Sequence, residues 1–423
     1  MRCDDSCRDY MYDFIKRICK EVGPRPSATE KEYEGLRLIE DELKSFSDET
    51  FKDDFTCHPG AYPKGNVYIA LVLILGAYIL YLFYPILTII LMVLGILSIF
   101  TELLLMKEAV DWLFPKRRSW NVFGKIKPHN ETRKIVIIGG HSDSAYLFPW
   151  YSKYRAKIVK LTYSAVIGVI ILFLVALFKV IGRGFSLDYT TPYVIVGPFS
   201  WAFIDWFYIG AVAGGLWFYY VFLGYFSKEV VDGANDNLSG VAVALAVGRY
   251  LAQNRPTYVE AWVGAFGCEE CGQRGSKAFV KLHGRELQNS YTLIPESIGA
   301  GDLIMIVEAE DFCFTDHSKP LVKKVEKAAR ALIEETTSKG EQFTPTIVAR
   351  QPYADTDAMR FSEKGFDAMA FLGLNKDDHF PEVWHEKADT YTCINKQIIG
   401  DVAEIILQFI ENLDQELAEA EPK

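Results

Sequence analysis

The chain has 423 residues, 50% of them hydrophobic and 24% charged, with a formal net charge of -10. That length accommodates one large domain or two plus membrane segments, and an acidic balance without clustered Lys and Arg excludes a nucleic-acid footprint. The 8 cysteines lack the short, even spacing of a disulfide scaffold, and the N-terminus, MRCDDSCRDYMYDF, has no apolar signal core, so the protein reads as not secreted.

Asp9 to Val22 and Ala28 to Phe46 carry apolar residues at helical spacing and read as two surface helices around EVGPRPSATEKE, with Ser27 or Thr29 able to cap the second. In the acidic, aromatic segment Ser47 to Lys64 the lone His58 reads as structural. From Val67 to Thr101 no charged residue occurs, and the apolar character continues through Met106. One helix of that length would span about 60 Å, about twice the hydrocarbon thickness, whereas two spans of about 17 to 20 residues fit. The break is expected near Tyr84 and Pro85. Leu161 to Phe178 and the region Trp201 to Phe226 supply a second pair. In the latter, Trp201, Trp206, Trp217, Tyr219 and Tyr220 suit an interfacial aromatic belt in part, with Asp205 at or near a boundary.

Each hairpin has an even number of spans. Segments 1–65, 108–157 and 228–423 therefore share one side and can fold together, with the hairpins at 66–107 and 158–227. Lys107, Lys116, Arg117, Arg118, Lys153, Arg155, Lys157 and Lys228 flank that side, against Lys179 and Arg183 opposite, which predicts an integral membrane protein whose soluble domain faces the cytoplasm.

In the soluble part, Lys134 to Gly139 reads as a strand ending in His141 and Asp143. GANDNLSGVAVALAVGRYLAQ reads as a tight turn, with Asp236 and Asn237, feeding a helix from Ser239. The strand in AWVGAFGCEECGQRGSKAF runs into Glu269 and Glu270, and a helix over Ser276 to Leu287 follows. Glu296 falls between two short strands. Helix Leu321 to Ser338, strand Thr346 to Arg350, a short helix in TDAMRFSEKG, strand Asp367 to Leu372 and helix Lys396 to Leu413 complete the chain. This alternation predicts an α/β fold with a mixed, mainly parallel sheet covered by helices on both faces, whose ligands gather at strand carboxyl ends.

Adjacent carboxylates at such an edge repel, so a cation or shared proton must offset the cost. His141, Asp236, Glu270, Glu296 and His385 are nitrogen and oxygen donors of the kind that bind zinc, and five of them suit two ions sharing one carboxylate. Asp143 could orient His141 or hold the local backbone. Glu269, next to a ligand but not itself one, is the natural general base for a metal-activated water. Cys268 and Cys271 form a C-x-x-C around the two glutamates; without a second such pair they are expected to fill space beside the site.

The succession H-S-D-S, G-A-N-D-N-x-S-G, E-E-x-G-x-x-G-S, E-S-I-G and W-H-E-K-A-D-T resembles the di-zinc exopeptidase family that includes bacterial aminopeptidases, aminopeptidase Y, glutamate carboxypeptidase and the glutaminyl cyclases, peptidase family M28. GPRPSATEKE and TDAMRFSEKGFDAMAF look like further segments of that family. The resemblance implies a three-layer α/β/α domain, two zinc ions, one held by His141, Asp236 and Glu296 and the other by Asp236, Glu270 and His385, Asp236 bridging, and Glu269 as base. Asp143 would sit behind the ligands, and the Asp236–Asn237 bond would be cis. Departures are Glu296, where many members have Asp, and Ala358, where His is commoner. The activity implied is aminopeptidase cleavage of a peptide or small amide. Its rivals are a carboxypeptidase, an N-acyl amino acid amidohydrolase, a glutaminyl cyclase-like enzyme, and a non-catalytic receptor or scaffold.

Overall fold

The computed structural model describes residues 2–351 and 355–420. It opens with helices α1 (Asp5–Glu21) and α2 (Glu30–Lys44), strand β1 (Glu49–Cys57), helices α3 (Asn66–Leu80) and α4 (Pro85–Ile99), and strands β2 (Arg117–Ile126) and β3 (Lys134–His141). Helices α5 (Pro149–Tyr154) and α6 (Ile158–Gly184), short strands β4 (Val194–Val196) and β5 (Phe199–Trp201), and helices α7 (Trp206–Leu223) and α8 (Ser239–Gln253) follow. Next come β6 (Val259–Phe266), α9 (Arg274–Leu282), β7 (Ser290–Glu296), β8 (Leu303–Glu310) and β9 (Thr315–Asp316). The last elements are α10 (Lys319–Ser338), β10 (Thr346–Gln351), α11 (Ala358–Ser362), β11 (Ala368–Leu374) and α12 (Lys396–Glu419). Two compact units result: Met1–Pro59 with Lys116–Leu147 and Lys228–Lys423, and Gly60–Pro115 with Phe148–Ser227.

The first unit is built on one mixed sheet of order β1-β2-β6-β3-β7-β11-β8-β10, with β9 beside β8. Its centre, β6-β3-β7-β11, is parallel throughout, while β1, β2 and the β11–β8 pair run antiparallel. Side chains alternate across the pleat, so Val136 and Ile138 of β3 join one core with the inner faces of α1, α2, α8, α10 and α12. Ile135 and Ile137 join the other, beneath Phe279 of α9 and Phe361 of α11. The result is the expected three-layer α/β/α arrangement. Parallel register brings the last residue of β3, His141, opposite Phe266 at the end of β6, and β7 ends on Glu296. The carboxyl edge of three adjacent strands therefore carries the donors.

Strands β1 and β2 were not expected. β1 lies at the sheet edge, where Lys52 and Asp54 stay in solvent; its period-two pattern is consequently masked by charge. The helix predicted over Ser276 to Leu287 begins earlier, at Arg274, and stops at Leu282. Neither Ser27 nor Thr29 caps α2 with its side chain. Thr29 donates to the Pro26 carbonyl at 2.7 Å, Ser27 to Asp143 at 2.6 Å, and Glu32 reaches back to accept from the Ala28 amide at 2.7 Å.

In the second unit four helical stretches are long and apolar enough to cross a membrane: Ala61–Leu80, Pro85–Leu103, Ile158–Gly184 and Phe203–Leu223. The first two divide at Tyr84 and Pro85, where proline starts α4. α6 extends past the expected Phe178 to Gly184 and so includes Lys179. Helices α6 and α7 touch at glycines: a Cβ on Gly168 would fall 2.3 Å from the Gly214 carbonyl carbon. The Tyr78 hydroxyl lies 3.1 Å from the Gly168 carbonyl and 3.0 Å from that of Ala211, joining α3 to both. Asp205, at the start of the stretch Phe203–Leu223, is fully buried. It accepts from Lys179 at 2.7 Å and Tyr81 at 2.6 Å through one oxygen, and from the Ala202 amide at 2.6 Å through the other.

Candidate active site

The chain leaves β3 at His141 and passes through HSDS. Arg25, from the GPRPS segment, is wholly buried behind this turn; it donates to the carbonyls of Ser142 at 2.8 Å and Gly233 at 3.1 Å, and its amide donates to Ser144 Oγ at 2.8 Å. The GANDN turn is held just as closely. Asn235 Oδ1 accepts from the Ala300 amide at 2.8 Å, Asn237 Nδ2 donates to Glu296 Oε2 at 2.9 Å, and Asn237 Oδ1 accepts from the Gly240 amide at 3.1 Å. The Asp236–Asn237 peptide is cis.

These turns converge with the loop after β6. His141 Nδ1 lies 3.1 Å from the Asp143 carbonyl, and Nε2 faces Asp236 Oδ1 at 3.0 Å and Glu296 Oε1 at 3.3 Å. His385 Nε2 faces the other Asp236 oxygen, Oδ2, at 3.3 Å and Glu270 Oε2 at 3.5 Å. All five expected donors are thus brought together in two groups that share Asp236: His141 with Asp236 and Glu296, and Asp236 with Glu270 and His385. Within each group the ligand atoms lie within 4.8 Å of one another. The longer side chain of Glu296 reaches its group from the last position of β7.

Glu269 sits beside the first group, its Oε2 3.8 Å from His141 Nε2. Asp143 stands behind the two groups, meeting His141 through its side chain and Glu270 through that residue's backbone amide. Its carboxylate accepts from the amides of Glu269 at 3.0 Å and Glu270 at 3.1 Å, and from Ser27 Oγ at 2.6 Å, while Oδ1 is 3.4 Å from His141 Nδ1. Both roles left open for Asp143 are therefore visible: it orients the imidazole and fixes the backbone of the glutamate pair.

The electrostatics call for added positive charge. Burial, and then Asp236, hold the Glu270 carboxyl well above the usual range; burial does the same for Glu269 and raises Glu296 to about 8. Burial opposes a charge on Asp236, yet hydrogen bonds from His141 and His385 hold it below the usual range. Burial also opposes a charge on His141, but Glu296, Asp143 and Asp236 raise it well above the ordinary imidazole value. Glu270 Oε1 is buried without a hydrogen-bond partner among the described residues. Imidazole nitrogens aimed at carboxylate oxygens, an orphaned oxygen and more acids than bases fit a zinc centre.

Three further acids were not singled out in the sequence. Asp389, in WHEKADT, accepts from the amides of Asn235 at 2.5 Å and Asp236 at 3.2 Å, and so holds the shared carboxylate in place. Burial pushes it up to about 8. Asp355 and Asp357 are raised by burial to about 7 and about 6 and act on Glu269 through space. Asp357 lies in the TDAMRF segment, recognised as a motif but without a role for its acid, and Asp355 immediately precedes that segment. An Asp389→Ala variant is expected to lose about 10–100-fold in metal affinity or turnover with its fold retained. Metal content after dialysis, measured beside kcat/KM, checks this; unchanged values would show that the turn holds itself.

Residues 222–410 match the model of peptidase family M28. The matched stretch includes Asp236, Glu269, Glu270, Glu296 and His385, and begins after His141. No curated protein matches the sequence. Among solved structures, the chain is similar to a zinc aminopeptidase from Bacillus subtilis, at a TM-score of 0.54 and 14% identity over 96% of this chain and 94% of that one. It is also similar to a Zn-dependent exopeptidase from Parabacteroides distasonis, at a TM-score of 0.52 and 14% identity over 96% and 98%. A glutaminyl cyclase from Bacteroides thetaiotaomicron gives 0.53 and 14% identity over 96% and 97%. These likenesses share one fold and two chemistries.

Proposed function

We propose that this chain, an M28-family sequence over residues 222–410 on a zinc-exopeptidase fold, is a membrane-embedded zinc aminopeptidase that removes N-terminal residues from peptides. The observation that carries the reading is the division of Asp236, one oxygen toward His141 and the other toward His385, with Glu269 standing beside the pair of groups. Two zinc ions, one with His141, Asp236 and Glu296 and the other with Asp236, Glu270 and His385, would polarise the scissile carbonyl and acidify the attacking water. Glu269 takes the proton from that water and delivers it to the amine as the C–N bond breaks. Asp143, bonded to the amides of both glutamates, keeps the base and its neighbour in register.

The free α-amine separates the candidate reactions. Zinc-loaded protein is expected to hydrolyse aminoacyl anilides and to spare their N-acetylated counterparts, with activity lost to a chelator and restored by zinc. Preference for the blocked substrates would replace this reading with an amidohydrolase, and conversion of glutaminyl peptides to the cyclic product with a glutaminyl cyclase.

The same reading sets α3, α4, α6 and α7 across a bilayer with the α/β unit on the cytoplasmic side, on the strength of the basic flanks. A chain whose one remaining cysteine is Cys393 is then expected to react with an impermeant thiol reagent only after cells are permeabilised. Labelling in intact cells would reverse the orientation.

A further inference from the structure

We propose that Cys57, Cys268 and Cys271 form a separate metal site, one that holds a thiophilic ion of the zinc class. Composition and spacing led us to expect Cys268 and Cys271 to fill space, since a lone C-x-x-C supplies two sulfurs. The fold adds a third. β1 ends at Cys57, and the sheet places that end beside the loop leaving β6.

The three sulfurs lie within 4.8 Å of one another, and Cys57 Sγ is 3.7 Å from Cys268 Sγ. Zn–S bonds of about 2.3 Å at a tetrahedral angle hold two sulfurs about 3.8 Å apart, whereas a disulfide needs about 2.05 Å. The observed spacing is that of co-ligands. All three cysteines are buried, at 3%, 0% and 2% exposure, so none is a surface thiol. Three thiolates supply three of the four ligands that such an ion takes, which leaves one position for a water or a further donor.

Glu32 borders the cluster: its Oε2 accepts from Cys268 Sγ at 3.6 Å, and the carboxylate also accepts from the amides of Cys268 and Ala28, each at 2.7 Å, and from Ser119 Oγ at 2.9 Å. Because Cys268 and Cys271 bracket Glu269 and Glu270, an ion here would clamp the loop that presents the glutamates and tie it to the end of β1. This is a positioning role, independent of which reaction the neighbouring centre performs.

The full chain in detergent, reduced and loaded with cobalt, provides the test. Thiolate ligands give cobalt an intense near-ultraviolet charge-transfer band, which the histidine and carboxylate groups cannot. The band is expected in the wild type and in His385→Ala, and is expected to vanish in Cys57→Ser together with about one metal ion per chain. A measurement without a variant stands beside it: under mild denaturant, where burial alone no longer protects them, zinc should shield Cys57, Cys268 and Cys271 together from an alkylating reagent, and a chelator should leave all three reactive. Absence of the band from folded, cobalt-loaded wild type would overturn the site. So would alkylation indifferent to zinc, or a Cys57–Cys268 disulfide in peptide maps of the isolated protein. Since the band does not depend on turnover, an inactive enzyme that shows it would overturn the proposed activity and leave this site standing.

Discussion

A Glu269→Gln variant is expected to keep its fold and its metal while turnover of a free-amine substrate falls by about 10²–10⁴-fold. The substitution preserves shape, and the bond that fixes this residue runs from its backbone amide to Asp143, so exchanging the side-chain oxygen leaves the loop in place. What disappears is a basic oxygen 3.8 Å from His141 Nε2, able to accept a proton and return it. The metal measurement is as informative as the rate. Glu269, His141 and Glu270 also lie close enough together to hold an ion, so a variant that lost metal along with activity would make Glu269 a ligand and end its assignment as base. A variant with near-normal turnover would remove it from the mechanism altogether.

The centre was legible in the sequence because each donor follows a strand or opens a turn whose local pattern survives without the fold. His141 closes an apolar run, Glu269 and Glu270 follow another, and Asp236 precedes a helix of small residues. Features that depend on distant pairing were not legible. Asp389 looks like one more acid in a polar loop until its carboxylate meets the amides of Asn235 and Asp236. Arg25 carries no role in its segment until the turns at Ser142 and Gly233 close around it. Cys57 lies 211 residues from Cys268, and only the antiparallel pairing of β1, β2 and β6 brings their sulfurs together. Charge at the sheet edge hid a strand, and in the apolar unit the pairing of Lys179 with Asp205, 26 residues apart, was not legible before the fold.

That pair carries the largest expected effect on stability. Lys179→Met is expected to destabilise the apolar unit by about 3–5 kcal/mol, because it strands a carboxylate that has no access to water. The ammonium and carboxylate are both at 0% exposure and 2.7 Å apart. Two buried charges pay heavily for lost hydration, so a pair of well-packed apolar groups could be as stable; the penalty arises from removing one partner alone. Asp205 would keep the Tyr81 hydroxyl and the Ala202 amide as donors, but no counter-charge within the network described. Tyr81 follows α3, Lys179 lies in α6 and Asp205 leads into α7, so the network joins three of the four apolar helices at one level. If its function is to set their register, Lys179→Met with Asp205→Asn should recover much of the loss caused by either change singly, since the double variant has no unpaired charge. Thermal unfolding of the detergent-solubilised chain, read for both single variants and the double, tests this. Single variants within about 0.5 kcal/mol of wild type would mean that water reaches the pair, and strictly additive losses would mean that the two side chains do not act as partners.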